Sequence, residues 1–101
     1  MQTVVYGMLQ EEKRRNLEMQ EMYLREISDL PKGSIVAKKQ SGNEYFYLKY
    51  RQNEKVKTDY LGKNQELIES VRRKIEKRKH LQEVLKRLRL EYAQICKIVK
   101  D

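Results

Sequence analysis

The chain has few of the residues that cross-link, break or anchor small proteins. Among its 101 residues are one cysteine, one proline, one histidine, four glycines and no tryptophan. Because Cys96 has no second cysteine to pair with, no internal disulfide can form, and we expect a reducing compartment, the cytoplasm. No apolar run approaches roughly 18 residues, and the N-terminus lacks a basic-then-apolar order, so we expect neither a membrane span nor a signal peptide.

Motifs that carry catalysis or hold metals are also missing. His80 has no cysteine or carboxylate at the spacing of metal ligands, so we expect no metal and no cofactor. Cys96 lies beside apolar residues at helical spacing, which favours a packed residue over a nucleophile. The sequence contains no Gly-rich phosphate loop, GxSxG or HExxH. A chain this small also leaves little room for a buried pocket, and we expect no enzymatic activity.

Charge, by contrast, is abundant and unevenly distributed. Charged residues are 38% of the chain, which is typical of long helices with solvated faces, and the formal net charge is +8. Residues 1–30 carry 4 Lys/Arg against 6 Asp/Glu, residues 31–63 carry 8 against 3, and residues 64–101 carry 11 against 6. This asymmetry favours an anionic partner, although a high pI is also common among small cytoplasmic proteins.

A first helix is predicted over residues 3–29, which contain no proline and many helix formers. Its apolar residues are Val5, Leu9, Leu17, Leu24, Ile27 and Leu30, with Met19, Met22 and Tyr23 beside them. The polar run 10–16 interrupts this stripe and predicts a weaker packing face in the middle of the helix. Leu30-Pro31-Lys32-Gly33 ends the helix, because proline disfavours helical backbone in the residue before it.

Three antiparallel strands are predicted at 34–39, 44–51 and 55–61, from the alternation of aromatic or β-branched residues with polar ones. The predicted hairpin loops are Ser41-Gly42-Asn43 and Gln52-Asn53-Glu54. One face is predicted to be buried, and it comprises Phe46, Leu48, Tyr50, Val56 and Tyr60. For the first strand, the pattern leaves open whether Ile35 and Ala37 or Val36 face inward.

The opposite face of this sheet is predicted to carry aromatic rings and cations. The set consists of Tyr45, Tyr47, Lys49, Arg51, Lys55 and Lys57. Bases stack on rings and phosphates pair with Lys and Arg, so this set suits a nucleic acid. Strand propensity alone also explains tyrosine at such positions. If the other face were exposed, Phe46 and Tyr50 would take the same role.

A second, long helix is predicted over residues 65–99, which contain neither glycine nor proline. Asn64 is its predicted N-cap, with Glu66 in the first turn. A heptad seam nearly three repeats long runs along its second half and comprises Leu81, Leu85, Leu88, Tyr92, Ile95 and Val99. An earlier stripe, slightly out of phase with the seam, comprises Leu67, Ile68, Val71 and Ile75.

Basic residues on the second helix allow two interpretations. Arg72, Arg73 and Lys77 are candidate phosphate contacts that would extend the basic ribbon. The alternative is a solvated helix, because Glu69, Glu76 and Glu83 lie at the spacing of intrahelical ion pairs.

These segments predict one α+β domain over residues 1–101, in the order helix, three-stranded antiparallel sheet, long helix. Neither helix is stable alone in water, so we expect an antiparallel coiled-coil pair. Because the second helix is longer, its distal heptads would lack a partner within the chain. We therefore expect a homodimer formed through the heptad seam.

The segments LPKGSIV and EYFYLKYRQNEKVKTDYLGK, followed by a long charged helix, resemble a family of short uncharacterised bacterial and archaeal proteins. The resemblance covers roughly residues 30–95. The ribbon is also similar to N-terminal ribbons of some transposases, over about 20 residues that include the Leu-Gly-Lys end. Neither resemblance supplies a catalytic residue. Both imply association with mobile or phage-derived DNA.

The sequence thus favours a non-enzymatic binding protein whose ribbon contacts DNA, RNA or a nucleic-acid–protein complex. The mobile-element context adds a second hypothesis, an anti-CRISPR-type inhibitor of a Cas nuclease. A third hypothesis is a coiled-coil adaptor whose charge is incidental.

Overall fold

The computed structural model describes residues 3–100. Its elements, in chain order, are α1 (Val4–Ser28), β1 (Ser34–Gln40), β2 (Asn43–Gln52), β3 (Lys55–Gly62) and α2 (Gln65–Ile98). The predicted α+β class is therefore confirmed. The chain divides into two compact units: a helical unit, formed by the residues up to Asp29 and from His80 onward, and a sheet unit, Leu30–Lys79. That the two make one domain stays a prediction.

Polar side chains cap the beginnings of both helices. The hydroxyl of Thr3 accepts a hydrogen bond from the backbone N–H of Tyr6 at 3.1 Å. The Oδ1 of Asn64 accepts from the N–H groups of Glu66 and Leu67 at 3.0 and 3.2 Å. Each cap satisfies donors that have no carbonyl partner in the first helical turn. The N-cap predicted at Asn64 is confirmed.

In the helical unit, α1 and α2 run antiparallel. Asn16 bonds to Leu88, whereas Lys13, which precedes Asn16, lies against Tyr92, which follows Leu88. The predicted heptad seam is the packing face of α2: Leu81, Leu85 and Leu88 are buried, Tyr92 and Ile95 are half-buried, and Val99, directly after the helix, is buried. The antiparallel pairing of the helices is confirmed.

This burial removes the reason given for a homodimer. The prediction assumed that the distal heptads of α2 had no partner within the chain, and that assumption is wrong. Only the part of α2 from His80 onward belongs to the helical unit, and α1, with 25 residues, is long enough to cover it. The homodimer itself stays a prediction, without an exposed heptad seam to support it.

The packing face of α1 differs from the predicted apolar stripe. Its less exposed positions advance in alternating steps of three and four residues, namely Tyr6, Leu9, Lys13, Asn16, Gln20, Tyr23 and Ile27. Val5, Leu17 and Leu24, predicted to pack, are 65%, 43% and 45% exposed. Residues of α1 can pack against the heptad seam of α2 only if they recur with the same period. The position of a residue along α1 therefore decides whether it is buried, and its hydrophobicity matters less. The polar middle of the predicted face is thus part of the seam.

Asn16 makes this polar middle compatible with burial. It is 5% exposed, and its Nδ2 donates to the carbonyl oxygen of Leu88 at 3.0 Å. Its Oδ1 accepts from Nε2 of Gln20 at 2.7 Å. One turn away, the ammonium group of Lys13 lies 5.9 Å from the centre of the Tyr92 ring. A buried asparagine in a heptad seam fixes register, because any other alignment leaves its amide unpaired.

The outer surface of α1 carries ion pairs between neighbouring turns. Arg14 contacts Glu11 at 2.7 Å and Glu18 at 2.9 Å, and Arg15 contacts Glu12 at 3.0 Å. The hydrogen bond from Arg14, with its positive charge, lowers the pKa of Glu11. Over residues 3–100, neither helix combines the length and the apolar character needed to cross a membrane.

The sheet has the order β1-β2-β3, with both neighbouring pairs antiparallel. Its two hairpin turns contain two residues each, Ser41-Gly42 and Asn53-Glu54, because Gln40 pairs with Asn43 and Gln52 pairs with Lys55. The backbone φ angles are +53° and +82° in the first turn and +51° and +65° in the second. Positive φ at both central residues is the geometry of a type I′ turn.

These two-residue turns correct the predicted faces of β3. A three-residue loop at 52–54 would place Lys55 and Lys57 beside Arg51 and Lys49. With the shorter turn, Val56 pairs with Arg51 and Tyr60 pairs with Tyr47. A slip of one residue moves every side chain of a strand to the other face. Val56 and Tyr60, predicted to be buried, are therefore 56% and 62% exposed.

The first half of α2 covers the opposite face of the sheet. Leu48 in β2 and Ile68 and Ile75 in α2 are buried at 8%, 1% and 6% exposure. Ile35 pairs with Leu48 and lines a shallow cavity of ≈ 220 Å³ together with Ile75. The first strand therefore has Ile35 and Ala37 on the helix-covered face, one of the two predicted alternatives.

Gly33 connects the end of α1 to β1 at a point where no side chain fits. Its φ is +113°, and a Cβ built there would lie 2.2 Å from the carbonyl oxygen of Lys49. Nearby, Nη1 of Arg78 donates to the carbonyl oxygen of Leu30 at 2.7 Å. Both contacts fix the chain where it enters the sheet.

We predict that Asn16→Leu raises the melting midpoint, whereas Asn16→Ala lowers it. Leucine replaces a buried amide by apolar volume, but alanine removes both the hydrogen bond and the packing, at about 1–3 kcal/mol. Leucine should also broaden the distribution of oligomers in light scattering, because register is no longer specified. A leucine variant that melts as low as the alanine variant would contradict the expected gain from apolar volume, and one with the native oligomer distribution would contradict a register role.

We predict that Glu54→Gly stabilises the protein by about 0.5–1 kcal/mol. A glutamate with a φ of +65° is strained by roughly 1–2 kcal/mol, and glycine removes this strain. Part of the gain is offset, because glycine increases the conformational entropy of the unfolded chain. Thermal unfolding should show a midpoint a few degrees higher. Glu54→Ala removes the same carboxylate but keeps the strain, so an equal gain with alanine would refute the backbone explanation.

Candidate nucleic-acid interface

The side of the sheet opposite α2 carries three of the five aromatic and three of the six basic side chains of the strands. We call it the tyrosine face. The pairing register assigns to it Ser34, Val36, Lys38, Gln40, Asn43, Tyr45, Tyr47, Lys49, Arg51, Val56, Thr58 and Tyr60. It draws residues from all three strands, since α2 occupies only the other side of the sheet.

On this face the ring of Tyr60 contacts the rings of two other tyrosines, Tyr45 and Tyr47. The ring centres of Tyr47 and Tyr60 are 5.3 Å apart, with planes inclined by 61°. Those of Tyr45 and Tyr60 are 6.3 Å apart, with an angle of 40°. Both pairs are within the range in which aromatic rings attract each other beyond simple burial. Tyr60 is 62% exposed and contacts both partners, which are half-buried.

Lysine side chains lie over two of these rings. The ammonium nitrogen of Lys38 is 5.0 Å from the centre of Tyr47, and that of Lys63 is 5.0 Å from the centre of Tyr45. Lys63 also donates to Oδ1 of Asn43 at 2.8 Å. Contacts of this kind at exposed sites contribute about 0.5–1 kcal/mol. They hold two cations beside the rings without neutralising them.

A bulge in β3 brings Lys63 to this side of the sheet. Tyr47 pairs with Tyr60, whereas Phe46 pairs with Gly62, so Leu61 is an extra residue. Without that extra residue, the position after Gly62 would project toward the helix-covered face. Bulges commonly redirect a side chain in this way.

The acidic side chains of the strands lie on one face of the sheet only, whereas the basic ones are divided, with Lys39, Lys55 and Lys57 on the helix-covered face. Lys38, Lys49 and Arg51 stand on the tyrosine face, and no strand position on this face, within the described residues, carries a carboxylate. Glu44 and Asp59 pair with residues of the opposite face. With Lys63, the tyrosine face therefore presents cations and rings without local acidic groups.

Asp59 has a partner on the helix-covered side. The hydroxyl of Tyr50 donates to Oδ1 of Asp59 at 3.3 Å. Burial, and then the charge and hydrogen bonding of Asp59, raise the pKa of Tyr50. This tyrosine thus belongs to a pair that is separate from the ring cluster.

The structure divides the predicted contact residues into two groups. Tyr45, Tyr47, Lys49 and Arg51 share the tyrosine face, whereas Lys55 and Lys57 project from the opposite face, where they pair with Gln52 and Tyr50. Their predicted place beside Lys49 and Arg51 is wrong, because the hairpin loop is one residue shorter than predicted.

The basic residues predicted on α2 also lie away from the tyrosine face. Arg72 lines the cavity near Ile35, and its Nε is 3.5 Å from Oε1 of Glu69. Arg73 lies beside Gln65 and Glu66, and Lys77 follows on the same helix. The intrahelical pair at Arg72 agrees with the solvated-helix interpretation.

Sequence reasoning missed three residues of the tyrosine face: Tyr60, Lys38 and Lys63. Tyr60 could have been placed from the turn, since asparagine is favoured at positive φ and marks a two-residue type I′ loop at Asn53-Glu54. The same rule applied at Ser41-Gly42 would have placed Lys38 opposite Tyr45. Nothing in the sequence indicates the bulge at Leu61 that positions Lys63.

Apart from the tyrosine face, the described part of the chain has few candidate sites. Between residues 3 and 100, no three His, Cys, Asp or Glu side chains come together as metal ligands would. Cys96 is half-buried and His80 is exposed.

Comparison with curated proteins and with solved structures finds no match. A family model, described as a domain of unknown function (DUF6788), matches residues 8–73. The match runs from α1 through the whole sheet into α2, and so includes the tyrosine face. It does not connect the chain with mobile elements or transposases. Because the match covers more than half of the sequence, this chain belongs to the DUF6788 family.

Proposed function

We propose that this protein is a non-enzymatic binding protein that contacts nucleic acid, alone or within a nucleic-acid–protein complex, through its tyrosine face. One observation carries the proposal: Tyr60 and the two tyrosine rings that it contacts share a sheet face with Lys38, Lys49, Arg51 and Lys63, and the acidic residues of the strands lie on the other side. Rings offer stacking surfaces to bases, and the cations attract phosphates.

The energetics favour release of the lysines from the rings when a ligand arrives. A base stacked on an aromatic side chain contributes about 1–3 kcal/mol. A surface contact between lysine and ring contributes about 0.5–1 kcal/mol. Displacing Lys38 from Tyr47 therefore costs less than stacking returns, and the freed ammonium group can pair with a phosphate. Releasing Lys63 from Tyr45 gains less, because its hydrogen bond to Asn43 is lost as well.

The long-range electrostatics support the same ligand. The chain has a formal net charge of +8, which speeds association with polyanions and makes it depend on salt. The tyrosine face would then supply the local contacts that position the nucleic-acid backbone.

The other two hypotheses have less support. A coiled-coil adaptor would need an exposed seam, but Leu85 and Leu88 are 5% and 8% exposed within the single chain. No feature of the described residues favours a Cas-nuclease inhibitor, with its implied phage or mobile-element origin, over a general nucleic-acid binder.

We predict that Lys49→Ala combined with Arg51→Ala weakens binding and flattens its salt dependence. Loss of two phosphate contacts should reduce the slope of log affinity against log salt by about 1.4 on single strands and about 1.8 on duplex DNA. Fluorescence anisotropy of labelled DNA and RNA, between about 50 and 200 mM salt, measures this slope.

Lys55→Ala combined with Lys57→Ala is the matched control. It removes the same charge from the same hairpin but on the opposite face, so affinity should fall less and the slope should change less. Equal effects of the two double variants would mean that charge alone, and not the tyrosine face, determines binding. Absence of binding to DNA and RNA at low salt would refute the proposed function.

A further inference from the structure

We propose that the ligand of the tyrosine face is single-stranded nucleic acid and that Tyr60 is the principal platform for base stacking. This inference rests on the proposed function and narrows its ligand. It also assigns a role to a residue whose sequence pattern predicted burial.

The position of Tyr60 in the ring cluster supports this role. Its ring contacts those of Tyr45 and Tyr47 on the neighbouring strand, which orient it from one side, and 62% of the residue remains exposed. Lysine ammonium groups lie over the rings of Tyr45 and Tyr47, but among the described residues none lies over that of Tyr60. Tyr60 therefore offers an aromatic surface that is both accessible and held in place.

The breadth of the face argues against duplex DNA. Contact side chains project from β1 (Lys38), β2 (Tyr47) and β3 (Tyr60), so they form a broad surface and not a narrow ridge. The major groove, about 12 Å wide, admits a helix or a two-stranded ribbon. Bases within a duplex are already stacked on one another, and only unpaired bases present their faces to an aromatic ring.

The cations flank the rings along β2. Lys38 and Lys63 lie at the Tyr45 end, while Lys49 and Arg51 lie at the other end. Tyr45 and Arg51 are separated by roughly 20 Å of extended strand, at about 3.3 Å per residue. A single strand laid along β2 would therefore meet phosphate partners on both sides of its stacked bases.

The absence of tryptophan from the chain allows a direct test. Tyr60→Trp introduces a single indole at the proposed platform, and titration with an oligothymidylate or an oligouridylate of about 12 nucleotides should quench its fluorescence. The control, Leu90→Trp, replaces a 60% exposed residue of α2 and should show little quenching. A mixed-sequence duplex of similar length completes the comparison. The two oligonucleotides distinguish DNA from RNA.

Loss of the ring provides a second readout. Tyr60→Leu should weaken binding of the single strands about 5- to 150-fold without changing the salt slope, because stacking releases no counterions. Tyr60→Phe keeps the ring and should bind within about twofold of the native chain. Circular dichroism verifies that each variant is folded.

The outcomes separate this inference from the proposed function. Tighter binding of either single strand than of the duplex, with quenching at position 60, supports it. Binding of the duplex equal to that of the single strands, or a folded Tyr60→Leu variant with native affinity, overturns it but leaves the proposed function standing. If none of the three ligands binds, both fail.

Discussion

The length of a hairpin turn determines what the sheet of this protein can contact. At Asn53-Glu54 the chain reverses in two residues, both with positive φ, and the register of β3 follows from that turn. One more residue in the loop would bring Lys57 beside Lys49 and send Tyr60 toward α2. The ring cluster and the absence of Asp59 from the tyrosine face both depend on this local geometry.

The bulge at Leu61 acts in the same direction as the turn. It lengthens β3 by one residue just before the strand ends, which brings Lys63 over the ring of Tyr45. Turn and bulge are thus two backbone irregularities that gather side chains on one face. The opposite side of the sheet packs against α2, where Leu48, Ile68 and Ile75 are buried.

Sequence reasoning located the elements well, because helix formers, Pro31 and alternating strand residues act locally. It also identified the α2 seam, because the regular spacing of its leucines is visible in the sequence. The predicted packing face of α1 is wrong, because Leu17 and Leu24 have the apolar character of core residues but are exposed. Asn16 and Gln20 occupy the packing positions, and only the pairing with α2 determines this. The residues that pack are determined by both helices together, so the hydrophobicity pattern of one helix is insufficient to predict them.

Only part of the tyrosine face could be predicted from the sequence, for a related reason. Tyr45, Tyr47, Lys49 and Arg51 lie on a single strand, where alternation alone assigns the face. Residues from β1 and β3 join them only through register, which depends on turn type. The reversed assignment of Lys55 and Lys57 and the omission of Tyr60 share that one cause.

Solution NMR of the ¹⁵N-labelled protein, titrated with an oligothymidylate, tests most directly whether the tyrosine face is the contact surface. If the tyrosine face is the contact surface, amide shifts should concentrate at Tyr45, Tyr47, Lys49 and Tyr60, with little change at Lys57 or Arg73. Shifts centred on α2, or spread evenly over the basic residues of the chain, would contradict it.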